Sequence, residues 1–252
     1  MTGTTPLVSV VTASFNALDG LKATAESVRS QTFRDVEHVI ADGGSWDGTT
    51  EWLGETDDLV WSSAPDKGIA DALNKGLAMS RGRYVLVLQA EDTFLTETSL
   101  AMAAPMLDGD TDIVSFDVLF DGETPTRRRS RGLTIATNFK TTIPHQGAFC
   151  HRRLYERIGG FDQGIRVAMD YDFFVRALRA GATTKVVPKI LSRMPDTGIS
   201  SQKDWPSLSH RFSEERRIHR TQCPGPAMRA VYAVYWPAYL AYRRGRLALT
   251  RR

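Results

Sequence analysis

The sequence predicts an α/β chain organised on a mostly parallel, doubly wound half-sheet. Three observations carry this. Strand-like and helix-like stretches alternate from Leu7 to Leu88, the pattern that builds parallel sheets. Tyr84–Leu88 is an unbroken apolar run, as expected of a strand buried on both faces. The strands run out into turns rich in glycine and acids, Ser14–Asn16, Asp42–Asp47 and Gln89–Asp92. In open α/β sheets the carboxyl ends of the strands form the ligand crevice.

In chain order, Leu7–Ser14 reads as the first strand and Leu18–Ser30 as an amphipathic helix. Val36–Ala41 is the second strand. It enters Asp42-Gly43-Gly44-Ser45-Trp46-Asp47-Gly48-Thr49, where Gly43 and Gly44 permit positive φ and close approach of a ligand to backbone. Ser45 or Asp47 suits the cap of a short helix beginning near Thr49. Leu59–Ser62 is a third strand, Ala70–Met79 a helix, and the Tyr84 run the fourth strand. Thr98–Met106 is predicted helical, Asp112–Phe120 a strand, and Asp121–Gly132 a basic loop or hairpin carrying Arg127, Arg128, Arg129 and Arg131. A helix through Arg152, Arg153 and Arg157 ends at Gly159-Gly160. Tyr171, Phe174, Val175 and Leu178 mark the apolar face of the next helix. Thr184–Val187 is a strand, Pro188–Gln202 a loop, and Asp204–Arg220 a polar helix.

Glu91 and Asp92 follow the buried strand directly. Hard cations such as Mg²⁺ or Mn²⁺ take carboxylates together with substrate phosphates, so these acids suit a metal–diphosphate site. A solvated acidic turn explains them equally well in isolation. Lys67 could meet a phosphate as a point charge. Asp71 and Asn74 lie three apart on one helix face and can act together. Asp170 and Asp172 sit at a helix start, where capping and the dipole explain acids on structural grounds alone.

These segments resemble family 2 glycosyltransferases, which bind nucleotide-sugars on a GT-A fold. The strand-and-turn opening of that family stands as Thr12-Ala13-Ser14-Phe15-Asn16. Its DGGSTDGT loop stands as Asp42–Thr49 with Trp46 in place of Thr. Its DKGIYDAMNKG segment stands as Asp66–Gly76, and its acidic metal-binding region as Gln89-Ala90-Glu91-Asp92. Ile143–Asp162 and Met169–Phe174 match as well. The resemblance spans about Val8 to Gly181 and is closest to the bacterial branch that makes exopolysaccharide, capsule or glycolipid chains.

The resemblance implies a mixed sheet flanked by helices and a divalent-metal-dependent, inverting transfer from a nucleoside diphosphate-sugar to a hydroxyl. Asp42 would read the donor base, with Ala13, Ser14 and Phe15 against the same ring and Asn16 and Gly44 beside it. Lys67, Asp71, Asn74 and Glu91 would lie near ribose or diphosphate, and Asp92 would ligate Mn²⁺ or Mg²⁺. His145 would lie at the active site and Asp170 would be the catalytic base, with Asp172 the alternative. Glu91 departs from the usual Asp-Asp, and Leu73 stands where relatives carry arginine, so that cationic contact is missing or comes from Lys67. A Gly198-x-Ser200 segment would act as a lid. A sugar nucleotidyltransferase is the rival enzyme, but Thr12–Leu18 lacks its basic, glycine-rich phosphate loop. A non-catalytic nucleotide-sugar-binding scaffold is the rival of another class.

Residues 1–204 are predicted to form the transferase domain and 205–252 a helical tail. From Trp205 to Arg252 there are ten Lys/Arg against two acids, a net +8 that leaves −5 for the rest of a chain whose total is +3. Tyr232, Tyr235, Trp236, Tyr239 and Tyr242 recur at helical spacing, with Pro237 expected to kink or break the helix. Aromatics with arginines favour a bilayer interface, so the tail is expected to meet an anionic membrane, the alternative being a helix that packs back onto the domain or onto a second subunit. No secretory signal, no run of ~18 apolar residues and no metal or redox spacing of Cys150 and Cys223 is visible. The expected place is cytoplasmic, peripheral at the inner face of the plasma membrane. The acceptor is expected to be a lipid-linked or growing glycan. No nucleic-acid partner is expected, and oligomerisation is left open.

Overall fold

The computed structural model describes residues 5–196 and 204–250, the last four by backbone alone. It divides into two compact units, Met1–Gln202 and Lys203–Arg252.

The first unit is built on one mixed nine-stranded sheet. Strands β1 (Val8–Ser14), β2 (Val36–Asp42), β3 (Val60–Ser63) and β4 (Tyr84–Val87) are parallel in the order β3-β2-β1-β4. Helices α1 (Leu18–Arg29), α2 (Thr49–Gly54) and α3 (Ile69–Met79) connect them. Every residue of β1 and β4 is buried, which explains their continuous apolar sequence. Beyond β4 come the two-residue β5 (Thr93–Phe94), α4 (Ser99–Ala103), β6 (Ile113–Asp121) and β7 (Thr126–Arg128), a hairpin partner of β6. They are followed by β8 (Ala148–His151), α5 (Arg152–Ile158), α6 (Met169–Arg179) and β9 (Thr184–Pro195). The sheet continues from β4 through β8, β6 and β9 to β5. β8 is antiparallel to both β4 and β6, whereas β6 and β9 are parallel. Val10, Leu86, Val114, Phe116 and Phe149 are fully buried in the main core.

The sequence expectation of a loop from Pro188 needs correction. Pro188 does not open a loop. β9 continues to Pro195, and the register against β6 shifts around Asp117, where Val187 and Ile190 pair with successive residues of β6. The bulge accommodates a residue that has no N–H for the ladder. Arg127 reinforces it, donating to Asp117 and to the Pro188 carbonyl, each at 2.6 Å. Arg128 lies over the Phe120 ring, so half of the basic hairpin cluster is committed locally. The expected lid at Gly198–Ser200 lies outside the described residues.

The second unit pairs α7 (Trp205–Thr221), capped by Asp204 accepting from Ser207 N at 3.0 Å, with α8 (Pro226–Thr250). α8 continues through Pro237. Tyr235 and Trp236 before it and Tyr239 after it all join the aromatic packing of this unit. That packing offsets the lost backbone bond. The aromatic face expected to lie on a bilayer is therefore largely spent on α7. Tyr232 stacks on His219 at 4.3 Å, and Trp236 donates to His219 Nδ1 at 3.1 Å. No described helix is long and apolar enough to cross a membrane.

Candidate functional site

A cavity of about 590 Å³ opens at the carboxyl ends of β1 and β4. Ala13, Ser14 and Phe15 line it from β1, and Gln89–Asp92 from β4. His145 and Gln146 come from the 3₁₀ turn before β8, and Asp170 from the first turn of α6. The cavity thus gathers seven residues that sequence reasoning assigned to the site: Ala13, Ser14, Phe15, Glu91, Asp92, His145 and Asp170.

Asp92 is only 3% exposed. Its Oδ2 accepts from Gln89 N at 2.9 Å, while its own N–H donates to Gln89 O. Burial pushes its carboxyl up to about 6, against the opposing pull of the His145 charge and of hydrogen bonds from Gln89 and Gln146. The turn is tight. Glu91 takes φ 80°, a left-handed conformation that is unfavourable for a residue with a side chain. Its N–H donates to Gly20 O of α1. A Cβ on Gly20 would stand 2.5 Å from Glu91 Cγ, so the turn needs glycine there.

His145 Nδ1 lies 3.5 Å from Asp170 Oδ2. Burial alone would lower the imidazole's pKa. The hydrogen bond and charge of Asp170, with the charge of Asp92, outweigh it and raise the value above 6.5. Asp170 Oδ1 accepts from Tyr171 N at 2.7 Å. Asp172 has a different task. It is 3% exposed and paired at 2.7 Å with Arg176, which also donates to the Ile158 and Gly160 carbonyls. Asp172 thereby anchors the α5–α6 connection.

The other six expected site residues, Asn16, Asp42, Gly44, Lys67, Asp71 and Asn74, do not line this cavity, and most of them bond to the loops around it. Asp42 is 2% exposed and both its oxygens are engaged within its own neighbourhood. Oδ2 accepts from Gly44 N, Ser45 N and Ser63 Oγ, and Oδ1 from Ser45 Oγ. This is an Asx-type loop staple, and Gly44 at φ 83° is part of it. Asn16 accepts from Trp46 N and donates its own N–H to Ser45 Oγ. Asp71 accepts from Lys67 N and from Gln163 Nε2, while the Lys67 side chain is exposed. Asn74 clamps Phe161, donating to its carbonyl and accepting its N–H, both at 2.8 Å. Asp47 ties two helix starts together, accepting from Leu18 N and from Thr49.

Sequence reasoning passed over Arg166, which lines the cavity four residues before Asp170. Its one signal was its place in the polar stretch between Gly160 and α6. Phe15 and Trp46 form an edge-to-face pair at 5.2 Å, 54% and 77% exposed. Ser14 Oγ and His145 Nε2 are buried without a hydrogen-bond partner among the described residues. Such atoms are rare unless something binds them.

Among the described residues, no cluster of three or more His, Cys, Asp or Glu is arranged to enclose a metal. The donor set instead fits a cation that shares its shell with phosphates: a buried carboxylate, Asp92, with Glu91 beside it in the same cavity.

Residues 9–161 match the family model described as Glycosyl transferase family 2. An uncharacterized glycosyltransferase of Mycobacterium tuberculosis is 33% identical over 221 residues, covering 84% of this chain and 83% of that protein. The PGL/p-HBAD biosynthesis glycosyltransferase of the same species is 28% identical, covering 85% of this chain and 84% of that one. In fold, the chain is similar to Staphylococcus aureus TarS 1–349 in complex with UDP-GlcNAc, with TM-score 0.68 at 18% identity. That match covers 85% of this chain and 64% of the TarS fragment. The mannosyltransferase PcManGT of Pyrobaculum calidifontis, in complex with GDP-Man and Mn²⁺, matches with TM-score 0.60 at 18% identity, over 93% of this chain and 81% of its own. The sheet has the GT-A architecture, and with the family model matched over more than half its length the chain belongs to glycosyl transferase family 2.

Proposed function

We propose that this enzyme transfers one sugar from a nucleoside diphosphate donor to a hydroxyl of a lipid-linked or growing glycan, with inversion. The observation that carries the reading is that Asp92 and Asp170 share one cavity, with His145 electrostatically coupled to both. Inversion needs one carboxylate to accept the proton of the attacking hydroxyl. Asp170 is partly exposed at the cavity wall, and its Oδ2 faces the imidazole that orients it. His145, whose pKa both carboxylates raise, stands between them and keeps Asp170 aligned. The exposed Phe15 ring offers a stacking face to the donor base. Arg166, on the same wall as Asp170, supplies positive charge to a phosphate-bearing substrate. Asp92, with Glu91, would hold Mn²⁺ or Mg²⁺, which when bound stabilises negative charge on the leaving diphosphate.

The donor class is supported by the UDP-GlcNAc and GDP-Man named for the two structural neighbours. The acceptor class is supported by a shorter match, 34% identical over 93 residues, to an Escherichia coli glucosyltransferase acting on GlcNAc-diphosphoundecaprenol. It covers 36% of this chain and 37% of that protein. The basic second unit would hold the enzyme peripherally on an anionic membrane.

Asp170→Asn tests the central assignment. The amide keeps the side chain's size, so donor affinity should stay near wild type, and so should melting temperature at alkaline pH, where the His145–Asp170 pairing no longer contributes. Turnover should fall by about 10²–10⁴, the usual cost of losing a general base. Turnover within a few-fold of wild type would place the base elsewhere.

A further inference from the structure

The second unit contains a groove of its own. A cavity of about 740 Å³ runs between α7 and α8. α7 lines it with Phe212, Arg216 and Arg220, each four residues after the last, and α8 with Arg229, Tyr232 and Trp236, at spacings of three and four. These steps place each set on one helix face. Phe212, Tyr232 and Trp236 are buried and make an aromatic floor. Arg216, Arg220 and Arg229 are exposed, and no carboxylate pairs with them among the described residues. No acid lines the groove. The two acids of α7 are engaged with other partners, Glu214 with His210 and Glu215 with Arg211.

An apolar trough rimmed by uncompensated guanidiniums is complementary to an amphipathic anion. Arginine forks match phosphate geometry. The aromatic floor beside the guanidinium rim suits a phosphate still attached to its lipid, whereas a free anion would use the rim alone. We propose that the α7–α8 groove binds the phosphate headgroup of a membrane phospholipid, with Arg216, Arg220 and Arg229 as its ligands. This rests on the membrane reading of the unit and adds a discrete site to it. It does not depend on the catalytic assignment.

The test is flotation of the full chain with phosphatidylcholine vesicles containing phosphatidylglycerol. Two triple variants are compared with wild type, R216A/R220A/R229A in the groove and R246A/R251A/R252A at the end of the chain. Both remove three charges from the same unit. The groove variant should lose vesicle affinity ~100-fold, roughly fivefold per arginine, while the end variant loses clearly less. Melting temperature and donor turnover in detergent solution should match wild type for both. Equal losses would mean diffuse charge attraction and would overturn the groove site while leaving membrane binding intact. No vesicle binding by wild type would overturn both. Binding of inorganic phosphate that abolishes the difference between variants, without vesicle competition, would assign the groove to a free anion and equally overturn the proposal.

Discussion

His145 Nδ1 stands 3.5 Å from Asp170 Oδ2, joining the turn before β8 to the first turn of α6 across the cavity. The histidine's pKa is raised above its ordinary 6.5 once Asp170 and Asp92 outweigh burial. The protonated imidazole is therefore favoured by the fold. The stability it contributes is fully present below 6.5 and is lost as pH rises through the higher folded value. His145→Gln should remove that alkaline loss, so thermal melts of variant and wild type converge as pH rises. Its kcat should fall ~10-fold or more, since the base loses its orienting partner. An unchanged pH dependence of stability in the variant would break this account.

Asp92 behaves oppositely to a typical paired carboxylate. Its folded value of about 6 lies above the ordinary 3.8. Protonation is favoured by folding, and the associated stability is lost as pH climbs from 3.8 through about 6. At neutral pH the ionised group costs on the order of 3 kcal/mol. Asp92→Asn should therefore melt several degrees above wild type at pH 7.5 in EDTA. In Mn²⁺, calorimetry should find its donor affinity reduced at least ~10-fold, since one hard oxygen ligand is lost. A lower melting temperature than wild type in EDTA would contradict the burial argument.

Asp42→Asn separates loop-building from base-reading. The carboxylate accepts from Gly44, Ser45 and Ser63, and an amide nitrogen in place of one oxygen would face those donors. Leaving buried donors unmatched costs about 1–3 kcal/mol. The expected outcome is a clear fall in melting temperature, with donor affinity dropping alongside it. Weakened donor binding at an unchanged melting temperature would favour direct base-reading over loop-building.

Asn74→Ala removes both bonds to the Phe161 backbone. Phe161 also lines the cavity, so the variant should lose about 1–3 kcal/mol of stability and raise KM more than it lowers kcat. Urea melts and initial rates on one preparation check both. A variant as stable as wild type would show that the clamp is dispensable.

The sequence by itself determined the four parallel strands β1–β4, because an all-buried strand such as Tyr84–Val87 needs a continuous apolar run, but it did not mark β5 or β8 as strands. It also pointed to the cavity wall at Ser14–Phe15, Glu91–Asp92, His145 and Asp170, since family motifs carry those positions in order. It did not show the loop-holding bonds of Asp42, Asp71 and Asn74, which depend on which backbone groups distant segments bring near, such as Phe161 to Asn74. Pro188 shows the same limit. Local chemistry argues for a strand end, but pairing with β6 and the Arg127 contacts carry the strand onward. The tail's aromatics could equally have covered a bilayer or another helix. In the structure His219, buried on α7, offers Tyr232 a stacking face and Trp236 a hydrogen-bond acceptor. A side chain's partner is a property of tertiary proximity, and spacing along one helix limits only which side chains can share it.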